Sequence, residues 1–294
     1  IEMKYLITGA GGQLGFDIKR ELIRRGVGES DIAAPHLADL DITHQQAVEN
    51  YVENFRPDVI IHCAAYTNVD GAENDVEACR KVNVDGTANL TKAAEKVDAK
   101  IIYISTDYVF DGENPEPYSV DHAVDPQSVY GQTKYDGEQV VQQYPKHFIV
   151  RTAWVFGING HNFVKTMLKV ADSRDEVAVV DDQIGSPTYT VDLAKFLVDL
   201  SESDKYGTYH ATNEGFCSWA EFTEEIYRDA GVDTRVKKVT TEEYAEIAGR
   251  PQAKRPHYSK LSKDSIEENG FTRLPNWQDA TKRYIEELKK EGEL

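Results

Sequence analysis

The chain carries two hydrophobic rhythms. Short, nearly continuous apolar runs fall at Lys4–Thr8, Asp58–His62, Lys100–Ser105 and Phe148–Val155, each too uniformly apolar for a half-solvated strand. They read as strands buried on both faces. A weaker strand is expected at Asp31–Ala34. Between these runs the apolar positions recur at helical spacing. One helix is predicted from Leu14 to about Arg25, stopped by Gly26, and one capped by Thr43 and running to about Phe55. A longer helical pattern covers roughly Ala72 to Lys96, and another Val129 to Gln143. The Pro-, Asp- and Glu-rich segment Asp111–Gln127 is a loop. Strand–helix alternation with right-handed crossovers predicts an α/β fold built on a doubly wound parallel sheet of the Rossmann type.

Beyond Gly157 the alternation loosens. Residues 3–157 are expected to form a dinucleotide-binding domain, to which a segment at about 188–203 returns through a helix at Thr190–Ser201. Residues 158–187 and 204–294 are expected to form a smaller α/β substrate-binding domain. Its short strands are anticipated at Val177–Val180, Gly207–His210 and Val236–Val239, and a final helix from Gln278 to about Lys290 presents a charged, solvated face.

Composition narrows the classes. With 51 acidic against 33 basic residues the formal net charge is -18, which argues against nucleic acid or an anionic membrane as partner. No apolar run approaches the ~18 residues of a membrane span, and no signal peptide opens the chain. Cys63, Cys79 and Cys217 are sparse and lack metal-ligand spacing, which fits a reducing cytosol. A cytoplasmic protein is expected, with no metal, as a monomer or homodimer.

Gly9, Gly12 and Gly15 follow the first strand at three-residue intervals and open the first helix. Glycines there let phosphate oxygens approach backbone N–H groups at a helix N-terminus. The loop predicts a dinucleotide contacted by Gly9, Gly12, Gln13 and Leu14. Ala33-Ala34-Pro35-His36, where the second strand ends, offers neither an acid for a ribose hydroxyl nor a strong base for a 2′-phosphate, so NADPH and NADH both stay open. The small side chains of Cys63, Ala64 and Ala65, with Tyr66, suit a backbone lying along that cofactor.

Tyr130 and Lys134 are four residues apart on one helix face, and Ser105-Thr106 ends the fourth strand at the edge where such sheets bind ligands. Thr106, Tyr130 and Lys134 are therefore the candidate catalytic residues. Free tyrosine ionises near ~10, and a lysine at ~4 Å in an effective dielectric of ~20 contributes roughly 4 kcal/mol, enough to lower that by up to ~3 pH units. The expectation is a tyrosine acid tuned downward by Lys134, which would also hold the nicotinamide ribose.

The glycine spacing resembles the extended short-chain dehydrogenase/reductase superfamily. The blocks Ser105–Gly112, Tyr130–Lys134, Arg151–Gly157, Asn162-Phe163, Asp182–Thr188 and Lys254–Pro256 together resemble the dTDP-4-dehydrorhamnose reductase family, in order and across nearly the whole chain. The resemblance implies an NAD(P)H-dependent oxidoreductase that reduces the C4 ketone of dTDP-4-dehydro-β-L-rhamnose. Hydride would come from the nicotinamide and the proton from Tyr130. It further implies Asp41 and Ile42 against the adenine. It places Thr106, Asp107 and Trp154 at the sugar, with Thr67 and Val69 lining the pocket. Arg255 falls to the diphosphate or nucleotide, and Asn162 and Gln183 are polar pocket contacts. Some members of that family are magnesium-linked dimers using glutamates; here Asp17 follows the glycine loop and residues 188–192 hold no glutamate. Two rivals stand beside this reading. One is an epimerase or dehydratase of the same superfamily. The other is a non-catalytic dinucleotide-binding subunit, as the regulatory subunit of methionine adenosyltransferase resembles this family.

Overall fold

The structure is a computed structural model describing residues 2–249 and 254–294. The first half contains β1 (Tyr5–Thr8), α1 (Gln13–Arg24), β2 (Ile32–Ala33), α2 (Gln45–Phe55), β3 (Val59–His62), α3 (Val69–Ala72), α4 (Val76–Arg80), α5 (Thr87–Lys96), β4 (Lys100–Thr106) and α6 (Val129–Gln142). Then follow β5 (His147–Thr152), β6 (Val155–Phe156), α7 (Phe163–Ala171), β7 (Glu176–Val180), β8 (Ile184–Gly185), β9 (Thr188–Tyr189), α8 (Thr190–Ser201) and β10 (Gly207–His210). The chain closes with β11 (Cys217–Ser218), α9 (Trp219–Ala230), β12 (Arg235–Val239), α10 (Thr241–Ala248), α11 (Asp264–Glu268) and α12 (Trp277–Lys290).

A six-stranded parallel sheet in the order β10-β5-β4-β3-β1-β2 organises the molecule. Side chains alternate across its strands. Tyr5, Ile7, Val59, Ile61, Phe148 and Val150 pack under α1 and α8, while Leu6, Ile60, Ile101, Tyr103 and Ile149 pack against α2, α5 and α6. This two-sided burial is why the strands read as unbroken apolar runs. Each buried Leu or Ile contributes about 1.5–3 kcal/mol, and every one of these side chains is 1% exposed or less.

Four segments depart from the sequence pattern. The weak second strand shrinks to a two-residue edge. The long helical stretch is broken into α3, α4, a π-helical turn at Lys81–Gly86, and α5. That turn directs Asn83 inward, where its Oδ1 accepts from Tyr66 N at 2.8 Å and its Nδ2 donates to Thr133 Oγ1 at 3.1 Å. β5 stops at Thr152, because the backbone turns through Trp154 at φ 50° before β6 pairs with β9. Gly207–His210, expected in the smaller unit, is instead the sixth strand of the main sheet, beside β5, with Tyr209 buried against Phe196 and Phe271.

α11 packs on β10 and adds Ile266 to the sheet's core, while the other remaining elements form a second layer of packing beyond the carboxyl edge of the sheet. β7 pairs in parallel with β12, β8 pairs antiparallel with β11, and α7, α9 and α12 enclose an aromatic core of Phe156, Tyr189, Phe222, Trp277 and Tyr284. α12 keeps its charged face outward and buries Trp277, Ala280, Tyr284, Ile285 and Leu288. Among the described residues no helix is long and apolar enough to cross a membrane.

Candidate functional site

Three adjoining cavities lie along the carboxyl edge of the sheet. The first, about 510 Å³, is lined by Gly9–Gly12, Pro35–Leu37, Asp41, Ile42 and Cys63–Thr67. The middle one, about 500 Å³, is shared by the glycine loop, Thr106, Asp107, Tyr130, Lys134 and Trp154. The third, about 320 Å³, runs between Asp70, Tyr108, Trp154, Gln183, Trp219, Tyr244 and Arg255.

The glycine loop is built for close approach. Gly9 has φ +67°, and a Cβ there would lie 2.7 Å from Ala64 N. A Cβ on Gly15 would lie 2.5 Å from the Gly9 carbonyl oxygen. Gly12 N donates to Gly9 O at 3.0 Å, closing the turn, and Gly12 caps α1 with no side chain over the first-turn N–H groups. The glycines at 9 and 15 let this loop fold tightly on itself and against the residues after β3, and the open helix N-terminus it leaves fits a dinucleotide diphosphate. Gln13 Oε1 accepts from Gly157 N and from Asn162 Nδ2, each at 2.9 Å, so Gln13 joins the loop to the second layer while lining the middle cavity. Leu14, Cys63, Ala64, Ala65 and Tyr66 all line the first or middle cavity. Asp41 lines the first cavity, and its Oδ1 accepts from Thr43 N at 2.9 Å and Thr43 Oγ1 at 2.7 Å, which holds its carboxyl below the usual range. Thr43 thus serves Asp41, and His44, not Thr43, occupies the cap of α2. Burial pushes the Cys63 thiol up to about 12, which leaves it unreactive.

Thr106, Tyr130 and Lys134 converge on the middle cavity. β4 delivers Thr106, whose hydroxyl accepts from Tyr108 N and donates to Asp107 Oδ1, both at 3.1 Å. Ser128 caps α6 by accepting from Gly131 N at 3.0 Å, which fixes the first turn where Tyr130 sits. A Cβ on Gly131 would lie 2.3 Å from Tyr108 O, so the helix start presses directly on the end of β4. The expected downward tuning of Tyr130 is not what this arrangement produces. Burial, joined by the nearby Asp107 charge, raises the phenol well above its ordinary value, and the Thr106 hydrogen bond opposes this only in part. Lys134 is itself desolvated and pushed down to about 8, with its Nζ 4.4 Å from the centre of the Tyr103 ring. The phenol is therefore held in its protonated, proton-giving form.

On the far side, Asp107 is buried and pushed up to about 6 by desolvation, which the Ser259 and Thr106 hydroxyls beside it oppose in part, and its Oδ2 makes no hydrogen bond of normal geometry among the described residues. Trp154 stacks on Trp219 with ring centres 3.7 Å apart and planes 16° apart. A Cβ on Gly185 would sit 3.0 Å from the Trp154 ring, so that glycine makes room for the stack. Arg255 donates to Tyr108 Oη and to Asp70 Oδ2, each at 2.8 Å, at the wall of the third cavity. Gln183 lines that cavity and donates to Thr241 Oγ1 at 3.2 Å. Thr67 and Val69 line the middle one. Asn162 does not line any of the three. It caps α7 by accepting from Lys165 N at 2.9 Å, and its Nδ2 donates to Gln13 Oε1, Gly157 O and Tyr284 Oη, so its amide is consumed as a brace.

The sequence reading missed Asp70, Tyr108, Phe163, Met167, Trp219 and Tyr244 as wall residues. Tyr108 had a local signal, since it follows Asp107 at the end of a site strand. Asp70 follows Val69, and Phe163 stands in a block that carries the family resemblance; Met167, Trp219 and Tyr244 come from α7, α9 and α10 and had no such signal.

Residues 3–290 match the family described as the RmlD substrate binding domain. A spore coat polysaccharide biosynthesis protein of Bacillus subtilis, SpsK, is 40% identical over 285 residues, 97% of each chain. The crystal structure of a dTDP-4-dehydrorhamnose reductase from Clostridium acetobutylicum superimposes with a TM-score of 0.92 at 44% identity, covering 98% of this chain and 100% of that one. A dTDP-4-dehydrorhamnose reductase from Bacillus anthracis, solved in complex with NADP, gives a TM-score of 0.92 at 42% identity over the same shares. Fold and site define a dinucleotide-dependent enzyme of the Rossmann type. The chain belongs to the RmlD substrate binding domain family.

Proposed function

We propose that this chain is an NAD(P)H-dependent oxidoreductase that reduces the C4 ketone of dTDP-4-dehydro-β-L-rhamnose to give dTDP-β-L-rhamnose. The observation that carries this reading is the middle cavity, where the glycine loop and the Thr106, Tyr130 and Lys134 side chains share one wall system with Asp107 and Trp154. A ketone seated there lies between the cofactor cradle and the acid.

Gly9, Gly12 and the first turn of α1 would hold the diphosphate of the dinucleotide, with Asp41 and Ile42 beside the adenine and Ala64–Tyr66 along its length. When bound, the reduced nicotinamide supplies the hydride. The chain's own residues manage the proton and the charge. Tyr130 stores the proton on Oη, because burial disfavours its phenolate. An alkoxide growing at C4 is a stronger base than that phenolate, so the proton moves from Tyr130 to the sugar oxygen. Thr106 Oγ1 hydrogen-bonds the same oxygen and stabilises its developing charge. Lys134, while it remains a cation, stabilises the phenolate left behind. The unpartnered Asp107 Oδ2 accepts a sugar hydroxyl, and the stacked face of Trp154 lies against the ring. Arg255 releases its neutral Tyr108 contact, or shares it, to grip the diphosphate with its planar fork. Gln183 offers a polar contact from the wall of the third cavity.

The test is nicotinamide oxidation followed by absorbance, with NADPH and NADH in turn and the ketosugar made in situ. Oxidation that yields dTDP-L-rhamnose is the expected result. A folded, cofactor-binding protein that leaves both cofactors reduced would sink this reading.

A further inference from the structure

Tyr130, Lys134 and Glu138 repeat at four-residue spacing and so lie in one row along α6. The reaction uses the first two. Glu138 lies deeper, 2% exposed, and is held by three hydrogen bonds from two residues. Arg151 donates from Nη2 to its Oε1 at 2.8 Å and from Nε to its Oε2 at 3.0 Å. Ser105 Oγ donates to the same Oε2 at 2.5 Å. Arg151 in turn donates from Nη1 to Val120 O at 3.2 Å and lies 3.2 Å from His210 Nε2.

A buried ion pair of this kind is a poor source of stability, since desolvation offsets most of the attraction and apolar residues of similar volume often do as well. Its position suggests another use. The groups facing Lys134 come from every element packed around it: His62 and Cys63 at the end of β3, Cys79 on α4, Tyr103 on β4, and Tyr130 and Glu138 on its own helix. His62 is pushed down to about 3 and the Cys63 thiol up to about 12, so both are uncharged near neutrality. Cys79 and Tyr103 are likewise raised by burial. Glu138 is the one carboxylate among the described residues that acts on Lys134, and it favours the cation.

We propose that Glu138 is a positioning residue for the reduction, clamped by Arg151 and Ser105 so that its carboxylate keeps Lys134 charged while Tyr130 gives up its proton. The clamp also ties the end of β4, which carries Thr106, to the helix that carries the acid. The proposal rests on the assignment of Tyr130 and Lys134 made above.

The test reads the ionisation of Lys134 directly. Protein labelled with ¹³C at lysine Cε is titrated by NMR, with Lys134→Arg identifying the resonance. In Glu138→Gln the Lys134 midpoint falls by about one pH unit or more. The alkaline limb of kcat/KM moves to lower pH with it, so the deficit against wild type widens as pH rises. Glu138→Asp recovers part of both shifts. A merely structural role lowers the melting temperature and leaves the midpoint where it was, and an unmoved midpoint in folded Glu138→Gln overturns the proposal. Should that variant not fold, Glu138→Gln combined with Arg151→Met removes the stranded cation and carries the same readout. A lowered Lys134 midpoint in Glu138→Gln, together with a wild-type protein that reduces no ketosugar, would count against the proposed function and not against the clamp.

Discussion

The two ends of the cleft along the sheet edge are made by different means. The end proposed for the cofactor is backbone and small side chains: a glycine turn with φ +67° at Gly9, an uncapped start to α1, and Ala64-Ala65 just after β3. The end proposed for the substrate is large side chains from scattered elements, with Trp154 on the turn after β5, Trp219 at the start of α9, Tyr244 in α10 and Arg255 farther along the chain. A diphosphate and two riboses can be held by repeated N–H groups, which any sequence with room for them supplies. A particular ketosugar needs an aromatic face, an unpartnered acceptor and a cation at set positions, which only specific side chains give. Damage to one side should therefore leave the other side's binding intact, while damage at the join should stop chemistry and spare both.

The join gives the largest expected effect. Tyr130→Phe removes the proton and keeps the ring that packs edge-on to Tyr108, 5.5 Å between centres. Turnover should fall about 10²–10⁴-fold, as for loss of a general acid. NADPH affinity by fluorescence and the melting temperature should stay near wild type. Full turnover in this variant would remove Tyr130 from the mechanism.

Gly9→Ala attacks the cofactor side alone. The new Cβ would have to occupy a left-handed backbone position within 2.7 Å of Ala64 N, and backbone atoms cannot step aside as a flexible side chain can. Strain of about 1–3 kcal/mol is expected. NADPH should bind at least several-fold more weakly, with a lower melting temperature. Unchanged NADPH binding would mean that the diphosphate does not use this cradle.

Arg255→Ala attacks the substrate side. Losing one charge-assisted contact costs about 1.5–3 kcal/mol, or roughly 10–100-fold. The cost should fall on KM for the sugar nucleotide, while the Kd for NADPH stays put. An unmoved KM would place the diphosphate away from Arg255.

The same contrast explains what the sequence made legible. Gly9-x-x-Gly12-x-x-Gly15, β4 ending at Thr106, and the Tyr130/Lys134 spacing are local patterns, each set within one turn or one strand end. They carried the parallel sheet and the convergence of Thr106, Tyr130 and Lys134 on one cavity. The wall of the third cavity has no such local signature, because Trp219 and Tyr244 reach Trp154 only through the packing of α9 and α10 around β7 and β12. The break in the 72–96 helical pattern was also hidden, since helix periodicity does not reveal a π turn that exists to point Asn83 at Tyr66 and Thr133. The electrostatics of Tyr130 misled for a related reason. Counting its distance from one lysine along the helix takes in the attraction and omits the desolvation that both groups undergo once buried.

Asn162 puts the smallest of these effects to use. In sequence it sits beside Phe163 in a block that resembles the reductase family, and a polar pocket contact was the natural expectation. In the structure its Oδ1 accepts from Lys165 N at the start of α7, and its Nδ2 donates to Gln13, Gly157 and Tyr284. Those partners belong to both sides: Gln13 follows the glycine loop, and Tyr284 lies on α12 in the aromatic core. Asn162→Ala should therefore act as loss of a helix cap with its neighbouring bonds, lowering stability by about 0.5–2 kcal/mol. Urea denaturation would show this as a lower midpoint with an unchanged slope. At temperatures well below unfolding, KM for the sugar nucleotide should hold near wild type, since no atom of Asn162 faces the substrate side. A raised KM at full stability would return Asn162 to the pocket and show that the brace rearranges when substrate binds. A loss of stability alone separates a residue that joins the two sides from the residues that do their work.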